Sequence, residues 1–340
     1  MVSPFIEALR AARGLSDINV REGEEVFVLS SADQDPALHD ALIAACDAAG
    51  AGDVTAMTLV PPSRPGSYAH PRAALAAAAA ADLTIVATSM AFPRAYDDMT
   101  ETILSAGKRL VLINNAPMPD FARGAARADA HALLDDTRRV ARAISEASSV
   151  RVRSAGGTDL TVGVCRPCMV LTGYADEECG FGSYPSGEAM SSPAEGTAEG
   201  TFVADEFGQV VYITGSGPQI GLIDEPIHLH FERGKLVNAE GGAEKRLLDA
   251  IMAAADEHVV NLGELGIGTN PFARPIAHVE NKFRLGTAHI ALGDNHLIGW
   301  RGAGTYGGTI VSGRHIDLVT ADVEVEVDGK TIISDAQILI

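Results

Sequence analysis

Positive charge is scarce in this chain. Lys and Arg number 26 against 45 Asp and Glu, so the 340 residues carry a formal charge of −19 at pH 7. A surface of that sign repels phosphate backbones and anionic lipid headgroups, and no cluster of basic residues offsets it locally. Nucleic acid and membrane surfaces are therefore set aside as partners. Long apolar runs are also missing. None approaches the ~18 residues needed to span a bilayer, and the N-terminus, MVSPFIEALRAARGL, reads as a short amphipathic helix without a basic-then-apolar signal layout. A cytoplasmic location is expected. Four cysteines, Cys46, Cys165, Cys168 and Cys179, are too few for a disulfide framework in a chain this long. Cys165 and Cys168 form a CxxC pair with Cys179 further on, but as zinc ligands they lack a fourth partner. The segment VGVCRPCMVLTG reads more simply as a strand in which cysteine is a small buried hydrophobe.

The length calls for two domains, each able to bury its own core. In residues 24 to 148 the short apolar runs EVFVLS, VTAMTLV, DLTIVAT and RLVLIN alternate with Ala-rich segments such as PALHDALIAACDAAG and PRAALAAAAA. Strands that are apolar throughout cannot leave one face wet, so the pattern predicts a small parallel sheet covered by helices, Rossmann-like or flavodoxin-like. LSSADQDP follows the first strand where a glycine-rich phosphate loop would stand, so a nucleotide role has no support. The alanine run Ala76 to Ala81 is explained by a tightly packed helix. After DDTRRVARAISEAS the texture changes to alternating hairpin patterns, among them RVRSAGGTDLTVGV, GTFVADEFGQVVYITG and a closing VTADVEVEVDGKTII that turns at Asp328-Gly329. The predicted domains are an α/β layer over 1–148 and a β-rich α+β metal-binding domain over 149–340, the latter containing the helix AEKRLLDAIMAAADEH.

Four segments of the second half concentrate glycine around an acid or a histidine: YPSGEAMSSPAEGTAEG, LGELGIGTNP, LGTAHIALGDNH and YGGTIVSGRHIDLV. Any one of them is explained by an ordinary hairpin turn. Four together suggest side chains presented into a shared cavity by backbone that approaches closely. Glu188, Glu264, His289, His315 and Asp317 supply three carboxylates and two imidazoles, an inventory suited to one or two divalent first-row ions. In His315-Ile316-Asp317 the apolar residue turns to the other face of a strand, so the histidine and the aspartate share one face as a two-ligand clamp. His228 and His230 in PIHLHFE also alternate on one face, where a solvated sheet surface explains them equally well. Arg94 and Tyr96, in SMAFPRAYDD after the third strand, sit where α/β sheets commonly bind ligands and are the substrate-side candidates.

These blocks resemble the M29 aminopeptidase family, the aminopeptidase T and S group: ELGIGTNP, GTAHIALG and GGTIVSGRHID match its signature segments in order and approximate spacing, and PSGE matches its upstream glutamate block. The resemblance implies a homodimer with two divalent ions (Zn, Co or Mn) held by Glu188, Glu264, His289, His315 and Asp317. These would activate water against a small peptide, amide or related cyclic substrate, and Glu188, where it is not a firm ligand, is the candidate general base. Where that family places a tyrosine near the metals this sequence has His296, so His296 or Tyr306 on a nearby loop is the candidate proton carrier.

The overall length and the stretch SAGGTDLTVGV, GYADE, YPSG and AEGT are similar also to the 2,5-dihydroxypyridine 5,6-dioxygenases, which that resemblance gives a mononuclear Fe(II) and a two-His, one-carboxylate triad. His315 and Asp317 fit the triad, whereas its first histidine falls at Glu264. The expectation from sequence is thus a metallohydrolase, with a ring-cleaving dioxygenase second and an inactive small-molecule-binding homologue third.

Overall fold

A computed structural model of the chain describes residues 3–62, 69–89, 92, 97–114, 120–177, 179–276, 279–299 and 304–340. The chain divides into two compact units, Met1–Leu134 with Leu171–Ser186, and Asp135–Val170 with Gly187–Ile340. Among the described residues no helix is long and apolar enough to cross a membrane.

The first unit is built on a five-stranded parallel sheet in the order Asp53–Leu59, Glu25–Ser31, Leu83–Ala87, Arg109–Ile113, Phe181–Tyr184. That is the flavodoxin-like order, as the alternating pattern predicts. Val26, Val28, Leu83, Ile85 and Val111 pack against Ala8, Ala12, Leu38 and Leu42 of the first two helices, Pro4–Asn19 and Pro36–Ala48. The second helix begins as its sequence dictates: the Asp35 carboxylate accepts from Ala37 N, and Pro36 follows where no amide partner is needed. The alanine-rich helix Arg72–Ala80 buries Ala74 and Ala78, one turn apart, and so packs closely on one side.

The fifth strand is one the sequence pattern does not suggest, since it comes after the chain has entered the second unit and returned. Its attachment is polar. Asn19 donates through Nδ2 to Gly173 O at 2.8 Å and accepts from Ala175 N at 2.9 Å, while Tyr184 donates its hydroxyl to Ala11 O at 2.6 Å.

The second unit holds two antiparallel sheets over one core. The larger runs Lys235–Glu240, Ile227–Glu232, Glu199–Ala204, Asp159–Gly163, Ser149–Ser154, Val323–Val327, Lys330–Ser334, Gln337–Ile338, and the other Gly221–Leu222, Phe207–Tyr212, Arg314–Thr320, Ala288–Gly293, Leu262–Gly268, Glu188–Ser191, Met169–Leu171. A single cut at residue 148 is thus replaced by crossings at 134, 170 and 186. The helix Ala130–Ser145 explains the first of these: Val140, Ala141 and Ile144 belong to the second unit's core, and Thr137 and Thr269 share a buried hydroxyl hydrogen bond of 2.7 Å.

In the seven-stranded sheet the three neighbouring strands Leu262–Gly268, Ala288–Gly293 and Arg314–Thr320 are buried almost throughout. Their two faces differ completely in chemistry. Leu265, Ile267, Ile290, Leu292, Ile316 and Leu318 all point into the apolar core. The alternate positions carry Glu264, Gly266, His289, Ala291, His315 and Asp317, and the cross-strand register sets Gly266 beside His289, Ala291 beside Asp317, and Gly268 beside Glu188.

Candidate metal centre

All five predicted ligands meet on that second face. Glu188 is 0%, Glu264 1%, His289 0%, Asp317 2% and His315 5% exposed, burial that charged groups tolerate only when paired or bound to a cation. Their donor atoms form two groups, Glu264 with His315 and Asp317, and Glu188 with Glu264 and His289, each within 4.8 Å. Donors on a common ion with bonds of ~2.1 Å lie up to about 4.2 Å apart, so each group is close to the size of one coordination sphere.

Glu264 is the shared member. A β-bulge between Leu262 and Glu264 shifts the register there, the usual device for re-aiming a side chain beside a site. One oxygen, Oε1, accepts from His289 Nε2 at 2.8 Å, and the other, Oε2, lies 3.4 Å from His315 Nε2. His315 donates through Nδ1 to the carbonyl of Asp294 at 2.8 Å, which fixes its tautomer and leaves Nε2 to face the carboxylates. That nitrogen is 3.0 Å from Asp317 Oδ1 without hydrogen-bond alignment. Both oxygens of Glu188, Asp317 Oδ1 and His289 Nδ1 have no hydrogen-bond partner despite complete burial. Three orphaned carboxylate oxygens, those of Glu188 and Asp317 Oδ1, within two adjoining donor groups are what a cation site presents, so these residues fit a divalent ion.

Lys282, on the 3-10 turn Val279–Phe283, places its Nζ 3.0 Å from Asp317 Oδ2 and 3.6 Å from Glu188 Oε1. Burial opposes each charge, and the neighbours decide the outcome. Lys282 and His315 hold the Asp317 carboxyl well below its ordinary range; the hydrogen bond from His289 and the charge of His315 do the same for Glu264. For Glu188 burial wins, and its carboxyl is pushed up even though Lys282 and His289 pull it back part of the way. The Asp317 and Glu264 carboxylates push His315 up to about 9 against its burial, and the three carboxylates keep Lys282 above the usual lysine range.

The other sequence candidates are not among these donors. His296 lies in the turn after the Ala288–Gly293 strand, half-buried, with its backbone N–H donating to Ile310 O, and it belongs to neither ligand group. Tyr306 is half-buried beside Gly299. Arg94 and Tyr96 lie outside the described residues. His228 is exposed and His230 shares a hydrogen bond with the Thr201 hydroxyl on the larger sheet. The four cysteines are free, and no ligand group among the described residues includes one. Sequence reasoning missed Lys282, which no motif marks, and the carbonyl of Asp294, which falls within the LGDNH segment it did single out. It also missed a second small cluster, His70 with Asp97 and Asp98, in the first unit. There Asp97 caps the helix Asp98–Ser105 through Thr100 N, and Asp98 accepts from both His70 N and Nδ1.

With this geometry in hand, comparison with known proteins is informative. The sequence profile of the 2,5-dihydroxypyridine 5,6-dioxygenase family, NicX, matches residues 6–340. The chain belongs to that family. A curated 2,5-dihydroxypyridine 5,6-dioxygenase of Pseudomonas putida is 30% identical over 207 residues, which cover 58% of this chain and 57% of that protein, so the match spans little over half of the relative. A solved structure of 2,5-dihydroxypyridine dioxygenase from Pseudomonas putida superposes with a TM-score of 0.72 at 24% identity, covering 100% of this chain and 98% of that one. Wild-type AmpT from Thermus thermophilus superposes with a TM-score of 0.62 at 16% identity, covering 99% and 100%. At such identities both are likenesses of fold. The order of the two resemblances is therefore reversed from the sequence expectation. Five ligand positions weigh little against a profile that runs the length of the chain, whereas the kinship with the M29 fold stands beside the NicX family.

Proposed function

We propose that this chain is a metal-dependent ring-cleaving dioxygenase acting on a small hydroxylated pyridine, with a single Fe(II) held by Glu264, His315 and Asp317. The observation that carries the reading is that three-ligand group, on one sheet face, in a chain matched over residues 6–340 by the dioxygenase family. A three-ligand set leaves coordination positions open, and a bound ferrous ion would supply oxygen activation there. Glu264 stands where the dioxygenase pattern has its first histidine, so the donor set here is one imidazole and two carboxylates. The protein residues around it have separate tasks. Asp294 holds the His315 ring in orientation, His289 holds Glu264, and Lys282 engages Asp317 Oδ2 so that the other oxygen faces the group. Glu188, pushed up by burial, is suited to take a proton from a ring hydroxyl of the substrate.

A second reading, a metallohydrolase acting on a small peptide or amide through two ions, is favoured by one observation: the Glu188, Glu264 and His289 group adjoins the first and shares Glu264 with it. The deciding experiment loads metal-stripped protein anaerobically with Fe(II), or with Zn(II), Co(II) or Mn(II). Oxygen uptake is then followed on a panel of hydroxypyridines, and hydrolysis on a panel of aminoacyl amides. Oxygen consumption with Fe(II) on a hydroxypyridine is expected. Amide turnover without any oxygen consumption would overturn the dioxygenase reading.

A further inference from the structure

The two adjoining ligand groups offer room for two ions, and the chain carries a residue that bears on how many enter. Three buried carboxyl groups, Glu188, Glu264 and Asp317, each at most 2% exposed, bring up to three negative charges together. Lys282 brings one positive charge to it, hydrogen-bonded to Asp317 Oδ2 at 3.0 Å and 3.6 Å from Glu188 Oε1, the outer carboxylates of the two groups. With the three carboxylates ionised and His315 neutral as an ion requires, one divalent ion completes the neutralisation. A second would leave two positive charges in excess in surroundings where uncompensated charge is costly.

The lysine is also held in place. Its side chain is 12% exposed, its Nζ lies 5.8 Å from the centre of the Phe283 ring, and its turn is anchored by the buried neighbours Glu280, Asn281 and Phe283. The Glu280 carboxylate accepts from Arg274 N at 2.9 Å, and the Lys282 carbonyl accepts from the Thr287 hydroxyl at 3.2 Å. A cation fixed this way serves Glu188, whose oxygens have no hydrogen-bond partner, in place of a metal ion.

We infer that Lys282 is the positioning residue that sets the ion count: its ammonium stands in for the second cation, and the site takes one divalent ion. The inference rests on reading the site as a metal centre, as proposed above, and not on which reaction the centre runs.

The test uses Mn(II) as probe on full-length, chelator-stripped protein. Bound metal is counted by equilibrium dialysis and elemental analysis, and the EPR spectrum tells an isolated ion from an exchange-coupled pair. Wild type is expected to bind one Mn(II) with an isolated-ion spectrum, Lys282→Arg one, and Lys282→Met two, the second in the Glu188, Glu264 and His289 group. Two ions in wild type, or one in a Lys282→Met protein whose melting profile shows it folded, overturns the inference. Should Lys282→Met not fold, the wild-type count and its spectrum decide alone. A wild type that binds one Mn(II) yet consumes no oxygen on hydroxypyridines when loaded with Fe(II) counts against the reaction and supports the role of Lys282.

Discussion

Gly266 is the position where one added methyl group should do the most damage to the metal centre. It lies opposite His289 in the antiparallel register, and a Cβ built there would sit 1.9 Å from His289 Cε1 and 2.5 Å from Nε2. Ordinary contact begins at 3.4 Å, so the ring must withdraw by about 1.5 Å. It is 0% exposed and cannot swing into solvent. Withdrawal breaks the 2.8 Å bond to Glu264 Oε1. Overpacking typically costs ~1–3 kcal/mol, and stripping a hydrogen bond from a buried charged group costs roughly 1.5–3 kcal/mol. Gly266→Ala is therefore expected to destabilise the protein by about 2.5–6 kcal/mol. It should also weaken metal binding by ~10- to 100-fold, as the loss of an outer partner does. Chemical denaturation and a competition assay with a chromophoric chelator measure both. The double variant Gly266→Ala/His289→Ala isolates the cause: with the ring gone the added methyl has space, so the glycine substitution should cost little in that background. Additive losses, or a single variant within ~0.5 kcal/mol of wild type with unchanged metal affinity, would refute the argument.

Glu264→Ala removes the ligand common to both groups and should abolish detectable metal binding, a larger loss than that of any one outer-shell residue; retention of metal by elemental analysis would count against the site. Because His315 is pushed up to about 9 in the metal-free site and an ion needs the neutral imidazole, each ion bound at neutral pH should release close to one proton. Apparent affinity should therefore rise with pH and level off above about 9, which calorimetry in buffers of different ionisation enthalpy can follow. Glu195, bonded to both Arg166 Nη2 and Thr309 N, is depressed from 4.5 to about 2 despite partial burial. A depressed carboxylate stabilises the fold above its unfolded value, so the difference in melting temperature between wild type and Glu195→Gln should be full above 4.5 and vanish as the pH falls towards about 2. A difference that does not change with pH would exclude the ion pair as its source.

Much of the site was legible because strand geometry acts on sequence with a period of two. His315 and Asp317 share a face for that reason alone, and the apolar residues between and beside them fill the core on the other side. The glycines of ELGIG were also informative, though as spaces: Gly266 is the room in which the His289 ring lies. What escaped is set by distance along the chain. The Phe181–Tyr184 strand joins a sheet whose other strands end at Ile113, and its short sequence, FGSY, has no alternating pattern to announce it. The helix Ala130–Ser145 shows an apolar stripe, but a stripe does not state which core it faces; Val140, Ala141 and Ile144 face that of the second unit. Lys282 is one of only five lysines but no motif marks it, and its partners, Glu188 and Asp317, become visible only when the turn folds over the sheet.

Glu264 links the two chemistries that this fold accommodates. An imidazole at that position would direct a single nitrogen into the site and could serve one of the two groups. A carboxylate has two oxygens, and here they diverge, Oε1 to His289 at 2.8 Å and Oε2 towards His315 at 3.4 Å, so the residue spans both. The capacity to bridge two ions is therefore written into the side chain at 264, in a chain whose family profile is that of dioxygenases. Bridging capacity alone does not draw in a second ion, because occupancy follows the net charge of the cavity. Lys282 pairs with Asp317 and Glu188 and supplies one of the two positive charges a second ion would bring. On this reasoning the choice between one ion and two depends on a pair of positions, 264 and 282. On the proposed reading, a lysine at 282 is what would let the chain keep a bridging glutamate with a single ion.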